Sequence, residues 1–600
     1  MKRRQFLQAA STLPLVPMAG RQFAKAAHAA PFRRVRPSDP AWPTPAQWEA
    51  LNADVVGNLI KVESPLVACA AAPGSAGCAE LFKDLKNPYY IGDHVALTQT
   101  TGWVDAWTTA PSVYAVAAHR TADVVAAVNF ARENNLRLVV KGGGHSYFGA
   151  SNAADSLLIW TRPMQSVTLH DSFVAFGCAP GTARPAVSLG AGSIWLRTYN
   201  AVTTRGGRYV QGGGCATVGV AGLVQGGGFG SWSKNFGTGA GGLIEAEVVT
   251  ADGAARIVNA CTNPDLFWAI KGAGNSFGVI TRLTLRTHDL PDFFGGASLV
   301  IKAASDAAFR RLIGRFVGFY ADSLFNPYWG EQAAFLPDNQ LAVAMVFQGL
   351  DQGQAERAWR PFLDWVSASP NDYSFVSWPS FLAIRAQHFW DPGFLTSVPG
   401  IVIPDDRPDA PKSNVFWSGN LHETGWFLDN YESAWMPSRL LAPDQQASLA
   451  DALFAATRHW KMTLHFNKGL AGGTEEAIAA ARDTCMNPDV LDAFALAISA
   501  NGNAPAFPGI PGHEPDLVGG RARAGQVHLA IAELRKLAPN AGCYVSEAGF
   551  FDQDWQDKYW GANYPRLLAI KQKYDSDGLF FVHHGVGSEA WSADGFVRSG

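Results

Sequence analysis

Three features that would place this chain in a familiar class are missing from its sequence. No apolar run reaches the ~18 consecutive residues that a membrane-spanning helix needs, and we expect no membrane anchoring of the mature chain. The formal net charge is only −3 over 600 residues, which gives no electrostatic attraction to nucleic acid or to an anionic membrane. Neither an HExxH nor a CxxC motif occurs, so we expect no metal site.

Cysteine is also scarce, at seven residues. An odd number leaves at least one thiol unpaired or otherwise committed in an oxidising compartment. Cys69 and Cys78 flank a turn-prone insert, and they form either a local disulfide or two buried thiols. Four cysteines have no usable pattern and are expected to be core residues: Cys178, Cys261, Cys485 and Cys543.

Glycine, by contrast, is concentrated in one stretch. Eleven of the 25 residues at 206–230 are glycine, and one is Cys215. Glycine lets a ligand lie directly against the backbone, where successive N–H groups can bind an anion such as a pyrophosphate. The apolar residues between the glycines need burial, which is not typical of a flexible linker. We therefore predict a ligand-binding segment, with a linker as the alternative.

A second glycine-rich loop, at 142–144, follows a predicted buried strand at 136–140. His145 lies at the tip of this loop. A lone histidine is more often a satisfied hydrogen-bonding residue, but loops after strands frequently carry function. A predicted strand at 113–118 and helix at 121–134 come first, and this β-α-β order places the loop at the carboxyl end of a strand, where ligands bind in α/β layers.

The first thirty residues resemble an export signal. Lys2-Arg3-Arg4 is followed by a short apolar run at 13–18 and by Ala27-His-Ala29, which together predict a twin-arginine signal peptide. We expect cleavage after Ala29 and export by the twin-arginine machinery of a bacterium, so that the protein is periplasmic or secreted. An ordinary amphipathic N-terminus is the alternative.

The two glycine-rich segments resemble the flavin domain of berberine-bridge-enzyme-like oxidases, in the vanillyl-alcohol-oxidase superfamily. The motifs are Lys141-Gly-Gly-Gly-His-Ser-Tyr-Phe-Gly149 and Gly214-Cys-Ala-Thr-Val-Gly219, and the resemblance continues through 263–281 and 559–575. It implies an α+β fold, with a two-subdomain PCMH-type FAD-binding domain and an α+β substrate domain whose antiparallel sheet is covered by helices.

We accordingly divide the chain into five parts. They are the signal peptide at 1–29, an N-terminal extension at 30–107, the FAD-binding domain at 108–288, the substrate domain at 289–540, and a C-terminal segment at 541–600 that returns to the FAD-binding domain. The aromatic-rich alternation of strands and helices after residue 290 agrees with a separate α+β unit.

The resemblance implies FAD as cofactor, joined covalently through His145 to the 8α-methyl group and through Cys215 to C6. Both side chains are nucleophiles that can add to an electron-poor ring. Relatives with valine at the position of Val218 tend to react with dioxygen, whereas those with leucine tend to react poorly. The resemblance therefore predicts O2 as acceptor and hydrogen peroxide as product. The implied cofactor-binding residues are Lys141, Gly142, Gly143, Gly144, His145, Ser146, Gly149, Cys215, Val218, Gly219, Gly222, Gly228, Gly278, Ile280 and Asn563.

Oxidation of a C–OH group by hydride transfer also requires a proton acceptor. A predicted strand at 543–548 aligns with a family strand that carries Asn and a basic-acting Tyr, and this chain has Ser546 and Glu547 there. Glu547 is our predicted base, because burial can raise the pKa of a carboxyl group. Tyr544, on the face of Ser546 by period-two alternation, is the second candidate. The alternative for Glu547 is an ion pair with an arginine away from the site.

Two polar clusters complete the predicted site. His465 and Lys468 are candidate substrate contacts, because their segment resembles the family strand that crosses the flavin. His583 and His584 would point to opposite sides of an extended chain, so at most one faces the ring and the pair cannot readily ligate one ion.

The leading interpretation is a secreted FAD-linked oxidase that takes a small molecule with a C–OH group (an alcohol, a sugar hemiacetal or a phenol) and O2. The alternatives are an oxidase or dehydrogenase that tailors a secondary metabolite, and a non-catalytic flavin or carbohydrate binder.

Overall fold

The structure, a computed structural model, describes residues 32–599, and the predicted signal peptide at 1–29 lies outside the described residues. The N-terminal extension is folded into short elements. They are α1 (Pro45–Asp54), β1 (Leu59–Lys61), α2 (Leu66–Ala71), α3 (Ala76–Asp84), α4 (Pro88–Asp93), β2 (Thr100–Trp103) and β3 (Trp107–Thr108). The sequence predicts a helix from Gln47 to Leu59, and α1 ends earlier, at Asp54, because Val56 and Gly57 have positive φ angles.

The first sheet contains the predicted β-α-β unit. Its elements are β4 (Tyr114–Ala117), α5 (Thr121–Glu133), β5 (Arg137–Lys141) and β6 (Ser156–Trp160). The strands lie in the order β1-β4-β6-β5, with the last three parallel. Asp123 accepts hydrogen bonds from the backbone N–H groups of His119 and Arg120, which fixes the start of α5. The loop that carries His145 follows β5, as predicted.

The second sheet is antiparallel and follows directly. Its region contains β7 (Val167–Phe173), β8 (Arg184–Gly190), α6 (Trp195–Tyr199), β9 (Arg208–Val210), α7 (Val220–Gln225), α8 (Ser233–Phe236), β10 (Leu243–Val249), β11 (Ala255–Asn259), α9 (Pro264–Ala269) and β12 (Val279–Asp289). The strand order is β11-β10-β12-β8-β7, and β9 pairs with the end of β12. Alternating β-branched and polar residues at 244–250 and 279–286 predict two strands, and β10 and β12 confirm them.

The third sheet has nine strands in the order β16-β13-β15-β14-β20-β21-β19-β2-β3. The region contains β13 (Phe293–Ala303), α10 (Asp306–Phe319), β14 (Trp329–Leu336), β15 (Gln340–Gln348), α11 (Gln352–Ser367), β16 (Tyr373–Arg385), α12 (Pro392–Ser397), β17 (Val402–Pro404), β18 (Val415–Trp417), β19 (Trp426–Pro437), α13 (Gln446–Thr457), β20 (Met462–His465), α14 (Glu475–Arg482), β21 (Ala493–Asn503) and α15 (Leu517–Arg535). The sequence predicts a helix from Pro443 to Arg458, opened by a proline that a first helical turn tolerates, and α13 begins three residues later, at Gln446.

The two faces of this sheet have different roles. Alternate residues such as Leu299, Phe335 and Met345 pack against α10, α11, α13 and α15 in the largest hydrophobic core. Their neighbours in sequence, such as Val300, Ala334 and Ala344, border a large cavity. Because successive side chains of a strand point to opposite faces, helices cover one face and the other forms a wall of the cavity. The predicted helix-covered sheet is confirmed, apart from the parallel pairing of β19 with β2.

The C-terminal segment contains α16 (Trp555–Trp560) and α17 (Tyr564–Tyr574). It packs on the second sheet's region, where the buried Lys571 Nζ donates to the carbonyl of Ser276. The strand predicted at 543–548 is wrong. These residues form a turn, in which the N–H of Glu547 donates to the carbonyl of Tyr544 at 2.8 Å.

Two disulfides lie in the described part of the chain. Cys69–Cys78 joins α2 to α3, which decides between the two alternatives for that pair. Cys178–Cys261 joins the loop after β7 to the turn before α9. Cys178 is half-buried and Cys261 is exposed, so the prediction that both are core residues is wrong. Cys485 and Cys543 are buried thiols, as predicted. Within residues 32–599, no helix combines the length and apolar character that crossing a bilayer requires.

Candidate functional site

The large cavity lies between the third sheet and the two glycine-rich segments. Its volume is about 1210 Å³, which exceeds the roughly 300–1,000 Å³ of most small-molecule pockets. Residues from the β5 loop, the segment before α7, the third sheet and the C-terminal turn all border it. It can therefore hold a large cofactor together with a second molecule.

The two glycine-rich segments touch through their backbones. A Cβ atom on Gly143 would lie 2.7 Å from the nitrogen of Gly219 and 2.8 Å from the carbonyl oxygen of Thr217, closer than any side chain allows. Glycine at these positions lets two loops about seventy residues apart in sequence pack in direct contact. This contact brings His145 and Cys215 together.

His145, Cys215 and Glu423 form a compact group at one end of the cavity. A ring nitrogen of His145, the sulfur of Cys215 and a carboxylate oxygen of Glu423 all lie within 4.8 Å of one another. The His145 Nε2 atom lies 3.1 Å from the Thr217 hydroxyl, so Nδ1 is the ring nitrogen not engaged in this contact. Burial lowers the pKa of His145 to about 3, so its imidazole is neutral and nucleophilic.

The Cys215 thiol is protonated in this environment. Burial, and next the charge of Glu423, raise the pKa of the thiol to about 12. The Cys215 sulfur lies 4.0 Å from Glu423 Oε2, at the outer limit of a sulfur hydrogen bond. A thiolate, the reactive form, therefore requires a proton acceptor nearby.

Glu423 is a site residue that sequence reasoning missed. It belongs to a short 3-10 segment between β18 and β19, with no motif around it. Burial raises the pKa of its carboxyl group to about 7. No local pattern could have indicated this residue, because only the folded chain brings it to Cys215.

The remaining lining fits an FAD molecule. At Gly222 in α7 and at Gly274, a Cβ atom would meet no heavy atom within 4 Å, so the cavity reaches the backbone there. Gln225 and Asn275 line the cavity, and their side-chain oxygens are buried without a hydrogen-bond partner among the described residues. Bare backbone and unpaired acceptors are what a dinucleotide with ring and ribose donors requires.

Eleven of the predicted cofactor-binding residues border the cavity: Gly142, Gly143, Gly144, His145, Ser146, Cys215, Val218, Gly219, Gly222, Gly278 and Ile280. Four others do not border it, and each has another role. Lys141 Nζ donates to the carbonyls of His94, Val95 and Leu97, and Gly149 packs against the ring of Trp107. Gly228 donates its N–H to the Tyr544 hydroxyl at 3.4 Å, and Asn563 donates to the Met486 carbonyl at 2.8 Å.

A second polar group lies where the third sheet meets the C-terminal turn. Lys468 Nζ donates to Glu547 Oε2 at 2.5 Å, so Glu547 is paired with a lysine inside the cavity, not with an arginine away from it. Glu331, which sequence reasoning missed, accepts from the Ser231 hydroxyl at 2.5 Å. Burial raises the pKa of Glu331, and its φ of 65° is unusual for a residue in a strand.

The predicted contacts on β20 also lie at the cavity. Thr463 and His465 border it, whereas Met462 and Leu464 are in the core. Burial, and next the charge of Lys468, lower the pKa of His465 well below its usual value. The imidazole of His465 is therefore neutral, and it can donate one hydrogen bond and accept another.

The turn at 544–547 presents more side chains to the cavity than a strand would. Tyr544, Ser546 and Glu547 all border it, so the expected separation of Tyr544 and Glu547 onto opposite faces does not occur. Burial raises the pKa of Tyr544, which keeps its hydroxyl protonated. Of the two predicted catalytic residues, only Glu547 therefore has a group suited to accept a proton.

His583 and His584 also depart from the prediction. The chain is not extended there, because His584 has a φ of 53°. The two rings stack on each other with centroids 3.8 Å apart, and both residues border the cavity. The expected extended chain is therefore wrong, and both histidines lie at the cavity.

Aromatic side chains form much of the rest of the wall. Tyr147, Trp417, Trp426 and Tyr431 border the cavity, whereas tryptophans such as Trp359 are fully buried in the core. The Trp417 indole N–H donates to the carbonyl of Gly214 at 3.0 Å, next to Cys215. These flat surfaces suit stacking against a sugar or an aromatic ring.

Comparison with known proteins agrees with this geometry. The model of an FAD binding domain matches residues 112–259, and the model named berberine and berberine like matches residues 541–587. An FAD-linked oxidoreductase, easE, from Arthroderma benhamiae is 31% identical over 80% of this chain and 90% of its own length. The VAO-type flavoprotein oxidase VAO615 from Thermothelomyces thermophilus is 28% identical over 95% of each chain.

Solved structures share the fold. The crystal structure of the VAO-type flavoprotein MtVAO615 from Myceliophthora thermophila C1 has a TM-score of 0.76 and 24% identity, over 94% of this chain and 100% of its own. A glucooligosaccharide oxidase from Acremonium strictum, described as carrying 6-S-cysteinyl, 8α-N1-histidyl FAD, has a TM-score of 0.62 and 18% identity. It covers 88% of this chain and 99% of its own.

Proposed function

Because this chain belongs to the berberine-bridge-enzyme-like family of FAD-linked oxidoreductases, we propose that it oxidises the C–OH group of a small molecule with a doubly attached FAD and passes the electrons to dioxygen. The observation that carries this proposal is the meeting of His145 and Cys215. They come from two loops that are distant in sequence, yet their reactive atoms lie within 4.8 Å at one end of a large cavity.

Several residues around the cavity would bind the cofactor. His145 Nδ1 and Cys215 Sγ would bond the flavin. The glucooligosaccharide oxidase is described as carrying FAD attached in this way, through one cysteine and one histidine. The bare backbone at Gly222 and Gly274 would lie against the rest of the FAD. When bound, FAD supplies a ring that accepts a hydride and returns the electrons to an oxidant.

Glu547 is the proposed proton acceptor for the substrate hydroxyl. Lys468 holds one of its carboxylate oxygens at 2.5 Å, which orients the carboxylate and leaves its other oxygen for the substrate. The neutral His465 lies at the end of β20, three residues before Lys468. It can donate a hydrogen bond to a neighbouring hydroxyl or accept one from it. The aromatic wall formed by Tyr147, Trp426 and Tyr431 would hold the face of a sugar or phenol ring.

Dioxygen is the proposed acceptor. Val218 lies three residues after Cys215 and borders the cavity, where a branched but short side chain leaves space for a small molecule. Hydrogen peroxide is then the second product, in equal amount to the oxidised substrate.

Export is part of the same proposal. The twin-arginine segment lies outside the described residues, but Cys69–Cys78 and Cys178–Cys261 are paired as disulfides. Disulfides persist in the periplasm and outside the cell and are rare in the cytosol. A chain loaded with FAD before export suits the twin-arginine route, which carries folded proteins.

A substrate panel tests the proposed reaction. The holoenzyme is mixed without oxygen with alcohols, aldoses, oligosaccharides and phenols, and loss of the oxidised-flavin absorbance is followed. We expect at least one class to bleach the flavin and, when air is admitted, to yield peroxide. A flavin that stays oxidised across the panel would support the non-catalytic binder, and bleaching without oxygen uptake would contradict the oxidase.

A further inference from the structure

The contacts of Glu423 are arranged around the thiol of Cys215. Glu423 Oε1 accepts a hydrogen bond from Asn420 Nδ2 at 3.3 Å, and Oε2 lies 4.0 Å from Cys215 Sγ. One carboxylate oxygen is thus held by its own 3-10 segment, and the other is directed at the sulfur. No basic side chain is paired with this carboxylate among the ion pairs of the described residues, in contrast to Glu547.

We infer that Glu423 removes the proton of the Cys215 thiol and so enables this cysteine to bond to the flavin, a step that rests on the covalent attachment proposed above. The geometry favours Glu423 over His145 for this role. His145 uses Nε2 toward Thr217 and needs Nδ1 for its own bond to the flavin.

The electrostatics agree with this assignment. The pKa of the Glu423 carboxyl is raised to about 7 by burial, so at neutral pH a large fraction of it is ionised and it is a stronger base than an ordinary carboxylate. The pKa of Cys215 is raised to about 12, so the thiol rarely ionises without help. Charged and titratable groups near Glu423 are Cys215, His145, Tyr147, Tyr431, Lys468 and Glu547.

The reaction balances with dioxygen as oxidant. The S–H bond of Cys215 and the C6–H bond of the flavin are replaced by one S–C6 bond, and the thiol proton passes to Glu423 Oε2. The two electrons and two protons that are released in total reduce one dioxygen to hydrogen peroxide. The flavin would end in its oxidised form, and Glu423 would release the thiol proton as one of the two that reach dioxygen.

The test compares Glu423→Gln with Glu547→Gln, which removes a carboxylate from the same cavity without touching Cys215. Each purified holoprotein is denatured, alkylated with iodoacetamide and digested. The masses of the peptides that contain Cys215 and His145 are then measured by mass spectrometry. We expect Glu423→Gln to carry FAD on His145 while Cys215 is alkylated. Glu547→Gln and the parent should carry FAD on both residues.

The rate at which Cys215 bonds to the flavin gives a second comparison of the variants. When flavin-free protein is mixed with FAD, the Glu423→Gln variant should bond Cys215 about 10²- to 10⁴-fold more slowly than the parent, the usual contribution of a positioned base. Glu423→Asp should recover part of the rate. A Glu423→Gln variant that bonds Cys215 at the parental rate would overturn the inference.

A measurement on the parent protein alone tests the inference even if the Glu423→Gln variant fails to bind FAD. The rate of Cys215 attachment should rise about tenfold per pH unit below pH 7 and level off above pH 8. A rate that continues to rise through pH 9 would mean that the thiol ionises unaided, and it would refute the role of Glu423. A parent protein with FAD on neither residue would instead refute the proposed double attachment itself.

Discussion

Replacing Gly222 by alanine should stabilise the flavin-free protein and weaken FAD binding at the same time. Gly222 lies in α7, where alanine is favoured over glycine by about 0.5–1 kcal/mol because it loses less backbone entropy on folding. Its Cβ would meet no heavy atom within 4 Å of protein, so the new methyl group costs no packing. It would, however, project toward the cavity that we assign to FAD.

The two effects differ in size as well as in sign. The gain in apoprotein stability raises the thermal midpoint by about 1 °C, since large proteins shift by less than the roughly 2–4 °C per kcal/mol seen at 150–250 residues. A methyl group forced into a filled site costs about 1–3 kcal/mol, which corresponds to FAD binding about 5- to 150-fold weaker.

The assay separates these effects. FAD is titrated into flavin-free protein that carries His145→Ala and Cys215→Ser, so that covalent capture does not hide a change in affinity, and flavin fluorescence is followed. Gly525→Ala is the matched control, because Gly525 lies in the long helix α15 and its Cβ also meets nothing within 4 Å. That control should gain stability and keep its FAD affinity. Unchanged affinity in Gly222→Ala would show that FAD does not lie against α7.

Four other outcomes follow from the structure. Glu547→Gln should lower kcat about 10²- to 10⁴-fold with the flavin content unchanged, and near-parental turnover would move the base elsewhere. Val218→Leu should slow reoxidation of the reduced enzyme by air in stopped-flow absorbance, with anaerobic reduction by substrate little changed. Replacing Cys178 and Cys261 by alanine should cost about 2–5 kcal/mol, because the bond closes a long loop; an unchanged denaturation midpoint would contradict this. The pKa of Glu423 is raised to about 7 from an ordinary 4.5, so between these pH values the folded flavin-free protein binds a proton that the unfolded chain does not. The free energy of unfolding should therefore fall by up to about 3 kcal/mol as the pH rises from 4.5 to 7. Glu423→Gln should flatten that decline in pH-dependent melting curves.

The cofactor end of the site was predictable because its signals are local. A buried strand that ends in three glycines placed His145 at a loop tip, and the dense glycines around Cys215 indicated backbone exposed to a ligand. Both features depend on what a few consecutive residues can adopt. The contact between Gly143 and Gly219 then follows from the same lack of side chains.

The substrate end was less predictable because its partners are brought together by the fold. The strand at 543–548 was predicted because this segment aligns with a strand of the family, but its backbone forms a turn, so Tyr544 and Glu547 reach the same cavity. Glu423 lies in an irregular segment far in sequence from Cys215. The Cys178–Cys261 disulfide spans 83 residues, a separation from which no pairing can be read.

The most direct test of the account is the mass of the purified full-length protein after denaturation in acid. We predict that the precipitated protein stays yellow and that its intact mass exceeds that of the polypeptide by one FAD. Flavin that remains in the supernatant, with protein at the mass of the bare chain, would contradict the attachment through His145 and Cys215.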